Sequence, residues 1–292
     1  MRLEIIKTYK IYIGGAFPRT ESGRYYTPLN KQGEKIAHVC LCSSKDVKNA
    51  VVAARKAFGS WSERSAFNRS QILYRIAEML EGRKSQFIEE LQLQGSTEED
   101  AKIEVEQSID RIVYYAGWCD KINQVAGSVN PVSSSHFNFS VLQPMGVVGI
   151  IADQTTSLIG LVSQMLPVIA SGNTVVVLAS ENKPLSAVTF AEVIHSSDVP
   201  GGVINILTGN PNELAPILAA HMDVNALQVG TDELTIKNQL FQASSANLKR
   251  VVEHIANWSE ESNQGLYYIT DFMELKTTWH PIENIGGSTS VY

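Results

Sequence analysis

The stretch GVVGIIADQTTSLIGLVSQMLPVIASGNTVVVLAS, residues 146–180, decides the fold. An apolar run leads into a polar loop, an apolar helical stretch, a turn of small residues and a second apolar run. Apolar strands joined by a helix are typical of a βαβ unit, whose parallel strands are covered on both faces. Ligands of such sheets collect at the loops that follow the strands. Here those loops contain Asp153-Gln154-Thr155-Thr156 and Leu178-Ala179-Ser180.

The same alternation of strand and helix continues towards the C-terminus. Strands are predicted near Val147–Ala152, Thr174–Leu178, Val203–Leu207 and Val224–Val229, with a further strand from Lys249. Helices are predicted to begin near Leu158, Pro184, Asn212 and Asp232. Apolar runs separated by helices predict an α/β fold with an open parallel sheet of about five strands.

A short β element and a helical layer precede this sheet. Tyr12–Tyr25 is predicted to form a strand, a turn and a second strand, and Lys35–Leu41 a third strand. A capping pattern at Ser43–Asp46 starts an amphipathic helix. Two more amphipathic helices are predicted over Asn68–Leu93 and Glu98–Ile122.

Two β-prone segments stand apart from the parallel sheet. In residues 129–142, Phe137 and Phe139 alternate with polar residues, which predicts a half-exposed hairpin that projects from the body and serves in association. Residues 267–279 predict one last strand. A strand without a partner is an aggregation hazard, so we expect this one to join a sheet edge of a second subunit. Its buried anchors would be Tyr268, Phe272, Leu275 and Trp279.

Composition excludes several classes of partner. The 292 residues are 44% hydrophobic, enough for a large core, and the net charge of −6 without a cluster of Lys or Arg argues against nucleic-acid binding. The first residues lack the apolar region of a secretory signal. No stretch reaches the roughly 18 uninterrupted apolar residues of a membrane span. We therefore expect a cytoplasmic protein without a nucleic-acid or membrane partner.

The cysteines and histidines indicate neither a disulfide framework nor a metal site. Cys40, Cys42 and Cys119 are few and odd in number and lack CxxC spacing, which fits a reducing compartment and a packing role. The six histidines show no metal-ligand spacing, so no metal is expected. The aromatic group at 114–118 is interpreted as core packing between helix and sheet. It consists of Tyr114, Tyr115 and Trp118.

Four blocks of sequence, in this order, carry a family resemblance. They are KDVKNAVVAARKAFGSWSERSAFNRSQILYRIAEMLEGRK at 45–84, YYAGWCDKI at 114–122, GNTVVVLASENKPLSAVTFAEVI at 172–194 and PGGVINILTG at 200–209. Together they resemble the aldehyde dehydrogenase superfamily, over residues 12–250. The phrases HFNFSV, HMDVNA and MELKTTWHP are most similar to the shortened, non-catalytic second domain of its family-16 members.

The resemblance implies a Rossmann-like cofactor domain, a catalytic domain and an oligomerisation β element from one chain. In that family a cysteine thiolate attacks the aldehyde, hydride passes to NAD(P), a glutamate activates water and an asparagine amide holds the oxyanion. The asparagine position aligns with Thr155, and the glutamate strand end aligns with His254–Asn257, which has no carboxylate. The catalytic domain would lie between about Trp258 and Tyr267, where this chain has a short loop. The resemblance thus implies an internal deletion and no catalytic residue.

Positions that would contact the cofactor also depart from the family pattern. The lysine that reaches the adenosine ribose aligns with Leu178, and Glu213 brings a negative charge to the helix N-terminus that would suit pyrophosphate. The resemblance therefore implies weak NAD(P) binding or none. The degenerate cofactor positions are Thr155, Ser180, Glu181 and Gly209.

Two functions remain open from the sequence. The first is a catalytically inactive aldehyde dehydrogenase family protein that acts as an assembly subunit, as a homo-oligomer, such as a dimer, or with a complete aldehyde dehydrogenase. The second is an NAD(P)-dependent oxidoreductase acting on aldehydes, active in a complex or through an unrecognised site, with Asp153 and Glu181 as a catalytic pair or His254 as a base. Residues 1–262 are predicted to form the cofactor-type domain, with the hairpin at about 125–145. Residues 263–292 would form the C-terminal oligomerisation strand and tail.

Overall fold

The computed structural model describes residues 5–282, so the first four residues and the end of the predicted tail, 283–292, lie outside the described residues. The strands are Thr8–Tyr9 (β1), Tyr25–Tyr26 (β2), His38–Cys40 (β3), Ser128–Asn130 (β4), His136–Pro144 (β5), Val147–Ile151 (β6), Thr174–Leu178 (β7), Ile204–Leu207 (β8), Ala226–Val229 (β9), Arg250–Glu253 (β10) and Met273–Pro281 (β11). The helices are Ser44–Ser62 (α1), Ala66–Glu81 (α2), Lys84–Leu93 (α3), Glu98–Trp118 (α4), Ile122–Ala126 (α5), Ile159–Ala170 (α6), Leu185–His195 (α7), Pro211–Ala220 (α8), Leu234–Ser245 (α9) and Tyr267–Thr270 (α10).

A five-stranded parallel sheet forms the centre, in the order β10-β9-β6-β7-β8, which confirms the predicted α/β fold. Alternate side chains of its strands enter two cores. Val148 and Ile150 pack with residues of α2, α4, α6 and α7, whereas Val147 and Ile151 pack with α1, α8 and α9. Because helices cover both faces, every residue of β6 and β7 is buried. All twelve residues of α6 are buried too, since it lies between the sheet and α4.

The helical layer begins as predicted but is divided differently. At the start of α1 the backbone N–H of Ser43 donates to Asp46 Oδ2 over 2.7 Å, which completes the predicted capping pattern. The single helix predicted over Asn68–Leu93 is wrong, because the chain breaks at Gly82, a weak helix former, between α2 and α3. The break allows α2 to pack against α4 and α3 to reach α7. The third predicted helix ends at Trp118 rather than Ile122.

The hairpin predicted over Tyr12–Tyr25 is also wrong. Tyr12, 1% exposed, instead pairs with the edge of the parallel sheet: its N–H donates to Ile206 O over 2.9 Å, and Ile206 N–H donates back over 2.8 Å. Tyr25 pairs with Cys40 of β3, while β1 runs parallel to β3 on its other side. The backbone of Tyr12 thus pairs with strand β8 at the sheet edge instead of with a neighbouring strand of a local hairpin.

A separate antiparallel sheet has the order β11-β5-β4, and its β4–β5 pair is the predicted hairpin. The prediction for residues 267–279 is wrong in two respects. Residues 267–270 are helical, and Ile269 of this helix is buried in the core together with Phe272 and Met273, which follow the helix. The strand β11 then pairs with β5 of the same chain, over nine residue pairs, and needs no second subunit to pair it. Residues 263–282 therefore share a core with the predicted first domain.

Within residues 5–282, no helix combines the length and the apolar character that crossing a membrane requires.

Candidate functional site

The predicted cofactor positions lie on three neighbouring loops at the C-terminal edge of the parallel sheet. Thr155 follows β6, Ser180 and Glu181 follow β7, and Gly209 follows β8. The side chain of Gln154 joins the first two loops: its Nε2 donates to Ala152 O over 2.8 Å, and its Oε1 accepts from Glu181 N over 2.9 Å. Protein groups therefore bridge the crevice between β6 and β7.

Asp153 organises the loop after β6. Its buried carboxylate accepts from the backbone N–H groups of Thr155 and Thr156, over 3.1 and 2.9 Å, and from both threonine hydroxyls. The Thr155 hydroxyl, at the position aligned with the oxyanion-holding asparagine, thus donates to Asp153. All of these donors belong to the chain itself, and they leave the Asp153 carboxylate buried and bound. This geometry counts against a catalytic pair with Glu181, although burial does raise the pKa of Glu181.

The N-terminus of α6 is occupied by a carboxylate of the protein itself. Glu104 of α4 accepts from the backbone N–H groups of Ser157, Leu158 and Ile159, over 3.2, 2.8 and 3.2 Å. A helix N-terminus attracts anions because its first amides are unpaired and the helix dipole is positive there. Glu104 takes the place that a ligand anion would take.

The neighbouring helix N-termini at this edge are also occupied or negatively charged. Leu185 N, at the start of α7, donates to Gln94 Oε1 over 2.9 Å. Asn210 caps α8 by accepting from Asn212 N over 2.8 Å, and Glu213 in its first turn pairs with Arg24 over 3.0 Å. The helix α9 follows Asp232 and Glu233.

Gly209 is required by packing within the chain. Its φ is +146°, and a Cβ there would lie 2.9 Å from Leu214 Cδ1 and 3.2 Å from Cys42 N. The loop after β8 is therefore pressed against the start of α8 and the chain before α1. No ligand is needed to explain a glycine at this position.

At three of the four helix N-termini along this edge, protein groups take the backbone amides that a dinucleotide would need. Its pyrophosphate needs backbone N–H groups that are free to donate and a helix N-terminus without competing anions. At this edge Glu104, Gln94 and Asn210 accept from the first amides of three helices, and Gln154 bridges the loops between them. We call this arrangement, in which side chains of the protein occupy the helix amides and bridge the loops, the closed sheet edge.

We expect Glu104→Ala to lower the free energy of unfolding by about 1–2 kcal/mol, because three helix amides lose their acceptor. Glu106→Ala is the matched control, since Glu106 lies on the same helix with its side chain 63% exposed. Its cost should stay below about 0.5 kcal/mol. Urea unfolding followed by circular dichroism measures both values, and equal losses would show that the Glu104 contacts contribute nothing.

His254 connects β9, β10 and the segment after α10. Its Nδ1 lies 2.7 Å from Gln228 Nε2, its Nε2 lies 2.9 Å from Asp271 Oδ2, and the ring packs edge-on against Tyr268. Burial lowers the pKa of this imidazole, so the neutral ring with its proton on Nε2 suits both partners. Both ring nitrogens have hydrogen-bond partners, which counts against the hypothesis that His254 acts as a base. His254 is a buried residue that connects these elements.

Sequence reasoning missed Arg111, which holds the loop that follows His254. The Arg111 guanidinium is buried: its Nη1 donates to Ser163 Oγ over 2.7 Å and to Asn263 O over 3.1 Å. Its Nη2 donates to Trp258 O over 3.0 Å and to Glu260 O over 3.3 Å. Trp258 itself is 1% exposed. A tryptophan in a polar loop and an arginine on the apolar side of a helix were the available signals.

The predicted association residues do not form one surface. Phe272 is fully buried and its carbonyl accepts from Asn173, so its prediction as an interface anchor is wrong. Tyr268 is half-buried against Trp258. The other four lie on the antiparallel sheet, where the register puts them on opposite faces. Phe137 and Phe139 share one face, and Leu275 and Trp279 share the other.

The cysteines and the aromatic group of α4 take structural positions. All three cysteines are buried and unpaired, and burial raises the pKa of Cys42 and raises that of Cys119 to about 12. A nucleophilic thiol needs the opposite shift. Tyr115 is fully buried, the ring of Tyr114 packs edge-on against it, and the ring of Trp118 packs against Tyr114. No group of three or more metal-ligating side chains occurs within the described part of the chain.

Comparison with known proteins gives a consistent result. A family model described as "Aldehyde dehydrogenase family" matches residues 18–255. The mitochondrial benzaldehyde dehydrogenase of Antirrhinum majus is 33% identical over 247 residues, which cover 83% of this chain and 46% of that protein. The cytosolic 10-formyltetrahydrofolate dehydrogenase of Mus musculus is 32% identical over 259 residues, covering 86% and 28%. An NAD+ complex structure of an aldehyde dehydrogenase from Bacillus cereus superposes with a TM-score of 0.81 at 26% identity, covering 85% and 51%. The chain spans about half or less of the length of the curated relatives it matches.

Proposed function

The chain belongs to the aldehyde dehydrogenase family, and from that premise we propose that it is a catalytically inactive member that acts as an assembly subunit. It would associate with a second copy of itself or with a complete aldehyde dehydrogenase. The observation that carries the proposal is the closed C-terminal edge of the sheet, where Glu104, Gln154 and Asp153 bind the groups that a substrate or cofactor would need.

The chemistry of the remaining side chains supports inactivity. Burial raises the pKa of Cys42 and Cys119, so both thiols stay protonated near neutral pH. His254 is held by Gln228 and Asp271, and the Thr155 hydroxyl donates to Asp153. A base, a nucleophile and an oxyanion donor must each be free to meet substrate. The buried, unpaired cysteines also support a reducing, cytoplasmic location as part of the proposal.

The antiparallel sheet supports association. On one face Val129 and Phe137 are 67% and 46% exposed, and on the other Leu275 and Trp279 are 60% and 57% exposed. Large apolar side chains exposed together on a projecting sheet are typical of an interaction site. We therefore retain Leu275 and Trp279 as proposed interface anchors. Phe272 is not retained, because its side chain is buried within the chain.

Light scattering tests the assembly role. We expect the purified chain to have about twice the monomer mass, or to bind a full-length aldehyde dehydrogenase from the same genome. Leu275→Ser combined with Trp279→Ser should weaken the association at least about tenfold, because two buried anchors are lost. Leu248→Ser is the control, since Leu248 is 94% exposed and lies outside the antiparallel sheet. A monomeric wild type that binds no dehydrogenase overturns the assembly role.

The alternative function is an NAD(P)-dependent oxidoreductase that is active in a complex. The same preparation, alone and with the full-length dehydrogenase, is assayed for reduction of NAD or NADP by short aliphatic and aromatic aldehydes. We expect the chain to add no turnover of its own. Aldehyde-dependent reduction of NAD or NADP by the isolated chain would contradict the proposal that the chain is inactive and would favour the alternative function.

A further inference from the structure

A cluster between α3, α7 and the N-terminal segment surrounds the ammonium group of Lys7. Lys7 Nζ lies 4.3 Å from the ring centroid of Tyr9 and 3.8 Å from carboxylate oxygens of both Glu90 and Glu192. An aromatic face and carboxylates together are the groups that bind organic ammonium ions. We call these four residues the ammonium cage. The function proposed above does not use it.

The cage is wider than the ammonium group it holds. Charge-assisted N–H···O contacts are normally about 2.7–2.9 Å long. Elsewhere in this protein Lys45 Nζ lies 2.8 Å from Glu21 Oε2. Lys7 Nζ is equally far from one oxygen of each carboxylate and in close contact with neither, whereas the other oxygen of Glu192 pairs with Arg83 Nη2 over 3.1 Å. Its side chain is 49% exposed, so it can leave towards solvent.

Glu90 has unused capacity to bind a cation. It is 5% exposed, and its Oε1 accepts from the hydroxyls of Tyr9 and Thr189 over 2.8 and 2.7 Å. Its Oε2 is buried and has no hydrogen-bond partner among the described residues. Burial raises the pKa of Glu90, because the charged form lacks full compensation. The oxygen that faces the cage is Oε1, 3.8 Å from Lys7 Nζ, and a cation closer to it than Lys7 would stabilise the charged carboxylate.

A cavity beside the cage provides room for the rest of a ligand. Its volume is about 370 Å³. It is lined by Lys7, Thr8, Tyr9, Lys10, Phe17, Val188 and Glu192. The apolar side chains of Phe17 and Val188 suit a short alkyl chain, while Tyr9 and Glu192 face the charged end.

We propose that the ammonium cage and this cavity bind small alkylammonium ions, and that Lys7 is the resident occupant that such a ligand displaces. The ligand ammonium takes the place of Lys7 Nζ between Glu90 and Glu192, and its alkyl group enters the cavity. The site is separate from the C-terminal edge of the parallel sheet, so the two proposals stand independently.

Titration of the full chain with n-butylammonium, followed by two-dimensional NMR, tests this proposal. We expect saturable shifts at Tyr9, Phe17 and Val188, and a Kd for Lys7→Ala about tenfold lower than for wild type, because the competing ammonium is gone. Lys10→Ala is the matched control: Lys10 lines the same cavity but forms no ion pair within 4.0 Å among the described residues. Its Kd should stay within about twofold of wild type.

Two further measurements identify the chemistry. Glu192→Gln in the Lys7→Ala background should raise the Kd at least about fivefold, because one carboxylate of the cage is lost. The neutral analogue n-butanol should produce no saturable shifts. Absence of binding to Lys7→Ala, equal Kd values for Lys7→Ala and Lys10→Ala, an unchanged Kd on Glu192→Gln, or equal binding of n-butanol each overturns the proposal.

Discussion

Replacing Trp258 by alanine is expected to lower the free energy of unfolding by about 3–5 kcal/mol. Trp258 is 1% exposed and packs against Tyr268, so its removal leaves a cavity beneath the loop that follows His254. The loss should appear in urea unfolding and as faster proteolysis between residues 255 and 266. This residue lies where the family resemblance implies that a catalytic domain would be. Its burial against Tyr268 fixes the loop that this chain has there.

Phe67→Ala is the control for this prediction. Phe67 is 64% exposed on α2, so truncating an aromatic side chain there removes little buried area and should cost less than about 1 kcal/mol. Trp258→Phe should fall between the two, since it keeps an aromatic ring in the cavity. If Trp258→Ala and Phe67→Ala cost the same, the loop is not held by its tryptophan.

Local periodicity was sufficient to predict the parallel sheet. Strands β6 to β9 are apolar runs separated by helices, because a strand that is buried on both faces consists almost entirely of apolar residues. The predictions failed where a distant partner overrode a local pattern. Tyr12 pairs with Ile206, far along the chain, rather than with a local hairpin strand. Residues 267–270 are helical rather than extended, and this segment with the residues after it buries Ile269, Phe272 and Met273 in the core.

The closed sheet edge could be predicted only in part. Altered residues such as Thr155 and Glu213 were visible in the sequence, because they lie within the loops themselves. Gln94 and Glu104 come from the helical layer and reach the edge across more than 50 residues of sequence. In the sequence Glu104 has the pattern of an ordinary surface carboxylate on an amphipathic helix. Only the packing of α4 against α6 turns it into the acceptor for three helix amides.

Arg111→Met is expected to lower the free energy of unfolding by about 3 kcal/mol. Four acceptors lose their donor: the hydroxyl of Ser163 and the carbonyl of Trp258, which are buried, and the part-buried carbonyls of Glu260 and Asn263. The lost hydrogen bonds outweigh the gain from removing a buried charge, whose burial already lowers the pKa of Arg111.

Arg111→Lys separates charge from geometry. Lysine keeps the positive charge but has one ammonium group where arginine has a planar fork of five donors, so it cannot reach acceptors on two sides. We therefore expect it to recover less than half of the stability lost in Arg111→Met. Arg75→Met is the control, because Arg75 is exposed and its ion pair within residues 5–282 is with Glu78 on its own helix, a contact worth about 0.5 kcal/mol or less. Hydrogen exchange gives the local test: amides of residues 258–264 should lose protection in Arg111→Met before those of β6 and β7 do. If Arg111→Lys is as stable as wild type, charge alone holds this loop and the directed hydrogen bonds of the guanidinium do not.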